Sequence, residues 1–385
     1  MSRVRTGLEE LDERLVRGRR VGLLAHPASV TSSLTHALDV LVQLGAELRV
    51  LFGPEHGWSG TAQDMVGVKG SDQGGLRLVS LYGATAADLQ PKPDDLADLD
   101  LVVVDLQDVG ARYYTYVWTA AFMLRAAAKQ GVQTVVLDRP NPLGGEVTEG
   151  RPQRPGYRSF VGLYDVPVRH GLTIGEMLEL VRRREDLDEE ALHVVPMVGW
   201  RRSMFFDETG LPWVLPSPNM PTLQTAIVYP GGCVLEGTTL SEGRGHTRPF
   251  EVWGAPWVRG EALATVEVEG AQLRPLTFEP TFHKHAGVPC GGVQVHVTDR
   301  RAFRSYAAYL RWIAAALAER PSSAQPWRTE AYEYETERPA IDLLTGGPEY
   351  RQLVNAGGCL EDYLAEDRAG AAAFEEERRS LMRYR

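Results

Sequence analysis

Four short polar clusters in this chain carry side chains suited to proton transfer and to the binding of a polar ligand. The first has the sequence FGPEHG at residues 52–57, where Glu55 and His56 stand between glycines and a proline. Carboxyl and imidazole groups are common proton carriers in enzymes, and a turn shaped by glycine and proline can aim both into one cleft. The same residues also allow a plain loop in which Glu55 caps a helix and His56 lies at the surface.

Each of the other three clusters combines acids with arginine. Residues 105–116 read DLQDVGARYYTY, residues 138–142 read DRPNP, and residues 241–247 read SEGRGHT. Structural alternatives exist here too, because an Asp at a strand end can cap the next element and an Arg can pair with a neighbouring acid. The candidate ligand-binding side chains of these clusters are Asp105, Gln107, Asp108, Arg112, Tyr114, Asp138, Arg139, Asn141, Arg244 and His246.

Missing motifs narrow the possible chemistry. Residues 26–30, after the first apolar run, read HPASV in place of a GxGxxG phosphate loop, and the sequence has no Walker loop. It also lacks the GxSxG elbow of serine hydrolases and the HExxH spacing of a zinc site. We therefore expect no cofactor and no metal. The remaining carboxylates, arginines, histidines and aromatic rings suit a sugar-like or acidic polar ligand.

Alternating strand and helix patterns position these clusters. Helical periodicity marks residues 33–44 and 116–129. Repeated β–α units predict an α/β fold with a mostly parallel, doubly wound, Rossmann-like sheet. Because the first three clusters follow strands, they should meet at the carboxyl-terminal edge of the sheet, where such folds bind ligands. The apolar runs that predict strands in this part lie at residues 21–26, 47–52, 78–82, 101–105 and 133–138.

Beyond residue 140 the chain becomes rich in glycine, proline and aromatic residues. Residues 211–222 hold too many prolines for a regular helix, and we expect packing to order them. The change in character near residue 257 predicts a Rossmann-like catalytic domain at residues 1–257 and a smaller α/β domain at 258–385 that closes the cleft. Further helices are predicted at 174–184, 303–317 and 359–385, and further strands at 193–196, 266–268 and 293–297.

Composition limits the partners and the compartment. The 385 residues carry a net charge of −10, which disfavours nucleic acid and anionic membranes as partners. The three widely spaced cysteines form neither a disulfide framework nor a zinc pattern. Residues 1–20 have no apolar segment of a signal peptide, and no run reaches the roughly 18 apolar residues of a membrane span. We expect a cytoplasmic protein whose oligomeric state is open.

Taken together and in order, these motifs resemble the DUF1343 family of exo-β-N-acetylmuramidases, also known as the NamZ family and glycoside hydrolase family 171. The resemblance rests on the four clusters and on SLYG at 80–83, SFVG at 159–162, RHGLTIGE at 169–176 and PSPNM at 216–220. It covers nearly the whole chain. It implies a Rossmann-like domain followed by a smaller α/β domain, with the active cleft between the two.

The resemblance also implies a reaction, the hydrolysis of terminal non-reducing MurNAc from β-1,4 MurNAc–GlcNAc chains of peptidoglycan fragments. Many members of the family are exported, so the missing signal peptide suggests either recycling of imported fragments or an incomplete N-terminus. Glu55 falls on the acidic motif residue of the family, so we expect it to be the general acid/base. His56 should orient Glu55 or donate to the substrate. A second group must stabilise or attack the anomeric carbon, and the candidates are Glu242, Asp105, Asp108 and the acetamido oxygen of the substrate.

The lactyl carboxylate that distinguishes MurNAc from GlcNAc calls for a cationic partner. Arg112, Arg244 and His170 are the candidates, and Asn219 in the PSPNM motif is a further candidate for substrate binding. Two other hypotheses remain open. The protein could bind muropeptides or a related acidic sugar without catalysis, or it could hydrolyse another glycoside or an acyl-amide bond. The products distinguish these, since a glycosidase releases a reducing sugar and an amidase a free amine.

Overall fold

A seven-stranded sheet forms the centre of the larger part of the molecule. The computed structural model describes residues 3–63, 65–67, 70–73 and 75–385. The strands lie in the order β3-β4-β2-β1-β5-β6-β7, with β3 antiparallel to β4 and the other neighbours parallel. The predicted mostly parallel α/β sheet is therefore confirmed. The strand bounds are β1 (Arg20–Ala25), β2 (Glu47–Gly53), β3 (Ser71–Gln73), β4 (Leu76–Ser80), β5 (Leu101–Asp105), β6 (Gln133–Leu137) and β7 (Leu192–Val195).

A second, three-stranded antiparallel sheet follows, in the order β8 (Val252–Ala255), β10 (Cys290–Val297) and β9 (Ala271–Phe278). It confirms a second, smaller α/β part. Its edge strand β8 lies before residue 257, so the sheet spans the predicted domain boundary. Residues 266–268, predicted as a strand, form only an isolated bridge between Val268 and Ala271, and β9 begins at Ala271 after the left-handed Gly270.

Helices cover both sheets. In the part of the chain that the structure describes, no helix is long and apolar enough to cross a membrane. The helix bounds are α1 (Ala37–Gln43), α2 (Pro93–Leu96), α3 (Tyr116–Lys129), α4 (Ile174–Arg184), α5 (Leu223–Gly232), α6 (Gly260–Leu263), α7 (Ser305–Ala318), α8 (Ala340–Thr345), α9 (Glu349–Ala356), α10 (Leu360–Ala373) and α11 (Glu375–Leu381). The helix α1 begins later than predicted because the His36 imidazole caps it, accepting a hydrogen bond from the Leu38 amide at 3.2 Å.

Both faces of the large sheet are buried, as its apolar strands predict. In β5, Val102 and Val104 pack into the core that contains α3, whereas Leu101 and Val103 pack with α1 on the opposite face. This alternation follows from the two-residue period of a strand. Covered on both sides, the sheet offers a ligand only its edges and strand ends.

The strand order sets where the polar clusters meet. From the central strand β1 the chain winds outward to β2 and β4, and then returns to the other side of β1 as β5, β6 and β7. The strand order therefore reverses between β1 and β5, and in open α/β sheets ligands bind at the carboxyl ends beside such a switch point. Glu55 follows β2 and Asp105 ends β5, so the first two clusters flank this point from opposite sides.

The end of the chain returns to the first sheet. The helix α11 packs against α4, and the Tyr384 hydroxyl donates to Asp138 Oδ2 at 2.6 Å. The buried Asp367 of α10 likewise ties the C-terminal helices to the first part, because its Oδ1 accepts from the Arg151 amide at 2.9 Å. Burial raises the pKa of Asp367 from 3.8 to about 6.

This shift predicts a pH-dependent stability. With the pKa raised in the folded state, the unfolded carboxyl loses its proton first as pH rises, so Asp367 lowers the free energy of unfolding between about pH 4 and about pH 6. Asn keeps the acceptor for Arg151 without the charge. Asp367→Asn should therefore gain stability relative to the parent chain from pH 4.5 to pH 7, measured by urea unfolding. Asp362→Asn, exposed on the same helix, is the control, and a constant difference across this range would contradict the assignment.

Candidate active site

A small buried cavity lies beyond the carboxyl end of β2. Its volume is about 30 Å³, room for water but not for a sugar ring. Five of the predicted site residues line it. They are joined by side chains from four other places in the chain, including the connection after residue 320. The polar side chains of its lining include Glu55, His56, Tyr114, Thr115, Ser217, Asn219, Glu236, Arg244, Tyr332 and Glu333.

The turn after β2 fixes Glu55 and His56. The amide of Gly57 donates to the Pro54 carbonyl at 2.9 Å, closing a tight turn in which His56 itself adopts a left-handed backbone with φ 67°. A non-glycine residue in that region is strained and is held there by its surroundings. The His56 ring supplies one restraint, since Nδ1 donates to the Ala62 carbonyl at 2.8 Å. The predicted sharp turn is present, and it directs both side chains to the cavity.

Glu55 is 6% exposed and takes its orientation from the start of α3. The Thr115 hydroxyl donates to Glu55 Oε2 at 2.5 Å, and the Tyr116 hydroxyl lies 3.3 Å from the Glu55 carbonyl. Among the described residues, no hydrogen bond to the other carboxyl oxygen, Oε1, is found. Glu55 is thus held by one oxygen while the residue faces the cavity. Sequence reasoning named the motif that contains Thr115 but not the role of its hydroxyl.

His26, at the end of β1, holds two of the site loops together. Its Nε2 accepts from the Gln107 amide at 3.0 Å, and its Nδ1 donates to the Pro216 carbonyl at 3.2 Å. Burial, assisted by the charge of Arg139, lowers the pKa of His26 to about 3, so the ring is neutral and can serve both partners. The Pro216 carbonyl also accepts from Tyr116 at 2.7 Å. These bonds bring the PSPNM motif, with Asn219, to the cavity.

Arg244 enters the cavity between two acids. Its Nη2 donates to Glu236 Oε1 at 2.6 Å, its Nε lies 3.2 Å from Glu242 Oε1, and its guanidinium sits 5.2 Å from the centre of the Phe250 ring. Glu236 also accepts from the Tyr332 hydroxyl at 2.7 Å. Glu236 comes from a short 3-10 helix, Cys233–Gly237, that follows α5. It belongs to none of the four clusters and was not predicted.

The C-terminal part supplies one wall of the cavity. Glu333 accepts from the Tyr82 hydroxyl at 3.0 Å, and the Tyr334 hydroxyl donates to the Gly83 carbonyl at 3.0 Å. Both Glu333 and Tyr334 have left-handed backbones, with φ of 47° and 66°. On its other side this wall lines a larger groove of about 780 Å³. These residues escaped sequence analysis because they lie in no motif and come from the far end of the chain.

Glu242, predicted as a catalytic group, does not line the cavity. Its carboxyl is fully buried behind Arg244 and meets two further partners, His283 Nδ1 at 2.9 Å and Lys284 Nζ at 3.0 Å. Although burial opposes its ionisation, Lys284, His283 and Arg244 hold its pKa well below the usual range. A carboxylate so engaged supports Arg244 and is not placed to react with a ligand in this cavity.

Asp105 and Arg139, predicted to bind substrate, bind each other. The Arg139 guanidinium donates to both carboxylate oxygens, at 2.5 and 2.8 Å, and both residues are buried. A buried, bidentate pair of this kind leaves neither charge available. The side-chain amide of Gln107 is also engaged, because its Nε2 donates to the carbonyls of Asp108 and Pro140 at 2.8 and 2.9 Å.

Asp138 and Asn141 also serve the scaffold. Besides Tyr384, Asp138 accepts from the Thr173 hydroxyl at 2.8 Å and the Gly175 amide at 2.9 Å, and burial raises its pKa to about 6. The Asn141 amide donates to the Leu172 carbonyl at 2.9 Å. A Cβ at Gly110, where φ is 78°, would lie 2.4 Å from Asn141 Oδ1, so glycine lets these two loops pack together.

The remaining predicted binding residues lie away from the cavity. Asp108 accepts from the Gly110 amide at 2.8 Å, and His170 Nε2 lies 3.5 Å from its Oδ2. The ring of His246 packs against Phe278 and accepts from the Arg248 amide at 3.3 Å. No group of three or more His, Cys, Asp or Glu side chains suited to a metal ion occurs among the residues that the structure describes.

Arg112 is fully buried, and its guanidinium donates hydrogen bonds to backbone carbonyls. Its Nη1 donates to Arg151 and Val166, both at 2.8 Å, and its Nη2 to Leu344 at 2.9 Å. Burial lowers its pKa. Because Leu344 belongs to α8, Arg112 joins the two parts of the molecule and does not face the cavity. Of the three candidates for a carboxylate ligand, only Arg244 reaches the cavity.

Comparison with known proteins agrees with this architecture. Residues 21–224 match the sequence model of the exo-β-N-acetylmuramidase NamZ N-terminal domain, and residues 227–384 match that of its C-terminal domain. The chain belongs to the NamZ family. The prediction of a glycoside hydrolase of this family is confirmed.

Relatives of this family include a curated protein and two solved structures. The peptidoglycan β-N-acetylmuramidase NamZ of Bacillus subtilis (strain 168) is 45% identical over 313 residues, which are 79% of this chain and 75% of that protein. A DUF1343 family protein from Bacteroides fragilis NCTC 9343 is 32% identical with a TM-score of 0.88, covering 100% of this chain and 99% of its own. A second from that organism, 24% identical with a TM-score of 0.77 and the same coverage, supports the fold alone.

The environment of Arg112 generates a stability prediction. Lysine cannot satisfy three carbonyls in the planar fork of a guanidinium, so Arg112→Lys should lower the free energy of unfolding by about 2–4 kcal/mol. Urea unfolding followed by tryptophan fluorescence measures the loss. Arg201→Lys, at an exposed position, should change stability little. A fully stable Arg112→Lys protein would show that these hydrogen bonds do not join the two parts.

Proposed function

We propose that this chain is an exo-β-N-acetylmuramidase that hydrolyses terminal non-reducing MurNAc from β-1,4 MurNAc–GlcNAc fragments of peptidoglycan, in the turnover and recycling of cell wall. Glu55 acts as general acid/base. The observation that carries this proposal is that Glu55, Arg244 and several tyrosines line the same cavity. An acid for the glycosidic oxygen, a cation for a carboxylate and rings for a sugar thus stand together in a member of this family.

Glu55 has the placement that proton transfer needs. Glycoside hydrolysis begins with protonation of the leaving-group oxygen by a carboxylic acid. The bond from Thr115 fixes the carboxyl by Oε2, which leaves Oε1 as the atom that we assign to proton transfer. His56, whose Nδ1 donates to the Ala62 carbonyl, presents Nε2 on its other side and is assigned to orienting the substrate or Glu55.

Three carboxylates that the sequence offers as the second catalytic group are engaged with other parts of the protein. Glu242 is held by three partners, Asp105 is paired with Arg139, and Asp108 accepts from the Gly110 amide within its own turn. We therefore assign the second catalytic role either to a carboxylate that lines the cavity, Glu236 or Glu333, or to the acetamido oxygen of MurNAc itself. A substrate-assisted route needs no second protein carboxylate at the anomeric carbon.

The substrate must move part of the cavity wall. A volume of about 30 Å³ cannot hold a sugar. The wall that contains Glu333 and Tyr334 separates the cavity from the groove of about 780 Å³. We assign MurNAc to the cavity and the rest of the glycan to the groove.

The role of Glu55 is testable by a charge-neutral substitution. Glu55→Gln should lower the rate of MurNAc release from a chromogenic β-MurNAc substrate by about 10²–10⁴-fold, with an unchanged unfolding curve. Glu47→Gln, at the exposed start of the same strand, is the matched control. Full activity of Glu55→Gln would rule out this role.

Incubation with MurNAc–GlcNAc disaccharide and mass analysis tests the reaction itself. Free MurNAc and GlcNAc are expected. A free amine with the glycosidic bond intact would indicate an amidase, and tight binding without turnover, unaffected by Glu55→Gln, would indicate a binding protein.

Arg244 should read the lactyl group. A bidentate guanidinium recognises a carboxylate in a way that lysine does not, so Arg244→Lys should raise KM for a β-MurNAc substrate about tenfold more than for its lactyl-free analogue. Steady-state kinetics with both substrates measures the difference. Arg248→Lys, a half-exposed neighbour, is the control. Equal effects on the two substrates would remove this role from Arg244.

A further inference from the structure

The connection between β9 and β10 is hydrogen-bonded to the segment that supplies Glu236 and Arg244. The Thr281 hydroxyl donates to the Gly245 carbonyl at 2.9 Å, and His285 Nε2 donates to the Thr239 carbonyl at 2.8 Å. Between these contacts, Lys284 reaches into the segment with a largely buried side chain. The connection does not line the cavity, so its influence on a ligand must pass through residues 235–245.

The Lys284 ammonium lies where several oxygens of that segment converge. Its Nζ is 2.9 Å from the Leu235 carbonyl, 3.1 Å from the Leu240 carbonyl and 3.0 Å from Glu242 Oε2. The Glu236 carbonyl is farther away, at 3.5 Å. An ammonium group has three hydrogens to donate, and the three short contacts match them. Lys284 thus occupies the centre of the turn as a bound cation would.

The backbone around Lys284 is strained on both sides. His283 and His285 have left-handed conformations, with φ of 69° and 58°. Non-glycine residues adopt this region at a cost in free energy and keep it only where contacts enforce it. Both histidines contact the same segment, His283 through Glu242 and His285 through Thr239. The contacts with residues 235–245 therefore hold the loop in the shape that presents Lys284.

Residue choice also favours a specific role for the ammonium. Of the 41 basic residues only four are lysines, so arginine is the default cation of this chain. A guanidinium is planar and wider than an ammonium, and its fixed fork does not match acceptors that converge on one point. At position 284 a compact, point-like cation is the group that fits.

Charge transmits the effect of Lys284 to the cavity. Arg244 stands between Glu242 behind it and Glu236 inside the cavity. With Lys284 in place, Glu242 has a second strong cation and does not compete fully for Arg244. Without it, the buried Glu242 would depend on Arg244 and His283, and an undercompensated buried charge is unfavourable. The guanidinium would then turn toward Glu242 and away from the ligand.

We infer that Lys284 is a positioning residue of the muramidase site: its ammonium shapes residues 235–242 and balances Glu242, so that Arg244 stays directed at the substrate carboxylate. The inference rests on the proposed function for its ligand, but the order of residues 235–244 can be measured without activity. Lys284 does not touch substrate, and its loss should impair recognition more than the chemical step.

A double-mutant cycle tests the charge balance. Lys284→Met keeps much of the side-chain length and should raise KM for a chromogenic β-MurNAc substrate about tenfold, with kcat changed by less than about twofold. Adding Glu242→Gln removes the unbalanced charge, so the double variant should recover most of that loss. Lys129→Met, exposed at the end of α3, is the control. An unchanged KM in Lys284→Met, or additive losses in the double variant, would overturn the inference.

Two further measurements cover the other outcomes. Hydrogen exchange of amides 235–244 should be faster in Lys284→Met than in the parent chain, and only partly slower in the double variant, where the Leu235 and Leu240 carbonyls still lack the ammonium donor. If the parent protein released no MurNAc, the proposed function would fail, while the exchange pattern would still decide the role of Lys284. If Lys284→Met did not fold, Lys284→Arg would replace it. That variant keeps the charge but not the shape, and normal KM and exchange would overturn the inference.

Discussion

Burial of charge at one edge of a parallel sheet is the constraint on which this structure depends. The strand order brings the polar ends of β1, β2, β5 and β6 to one side, and the charged residues at these ends are buried. An ionised group out of water is tolerated only with a partner. Asp105 meets this need with Arg139, and Asp138 with hydroxyl and amide donors.

The same constraint explains why the candidate catalytic groups form a smaller set than the polar motifs. Arg112 and Arg244 are both buried arginines in glycine-containing motifs. Arg112 meets three backbone carbonyls, whereas Arg244 meets two carboxylates and lines the cavity. The carbonyl partners of Arg112 occupy both terminal nitrogens of its guanidinium, which serves the packing of the protein. The Arg244 arrangement places two carboxylates around one guanidinium, and the Lys284 ammonium offsets the charge of Glu242.

The fold and the position of the site were accessible from the sequence because they depend on local patterns. Continuous apolar runs predict buried parallel strands, and the turn with Glu55 follows one of them, so both the sheet and this edge of it could be located. The proline-rich residues 211–222 are irregular and packed, as predicted, with the Trp213 ring against Phe206. The strand β8 was missed, since four residues of mixed character give too short a pattern.

Roles within the site were less accessible, because they depend on partners distant in sequence. The sequence of residues 105–116 does not predict that the carbonyls of residues 151, 166 and 344 accept hydrogen bonds from Arg112. Glu236 and Glu333 belong to no motif and become site residues only when α5 and the C-terminal connection pack over β2. Glu242 was predicted as a catalytic group because it stands beside glycines, but its place behind Arg244 depends on contacts such as that with Lys284, 42 residues later.

Closure of the cavity links the strained backbone to the proposed reaction. The wall over Glu55 is formed by Glu333 and Tyr334 in left-handed conformations, each held by a hydrogen bond to the Tyr82–Gly83 turn. If a substrate displaces this wall, as proposed, those bonds break while the left-handed backbone is free to relax, and the released strain would offset part of the cost of opening. Return of the wall would then exclude water from Glu55 and strengthen its electrostatic interactions with the bound sugar.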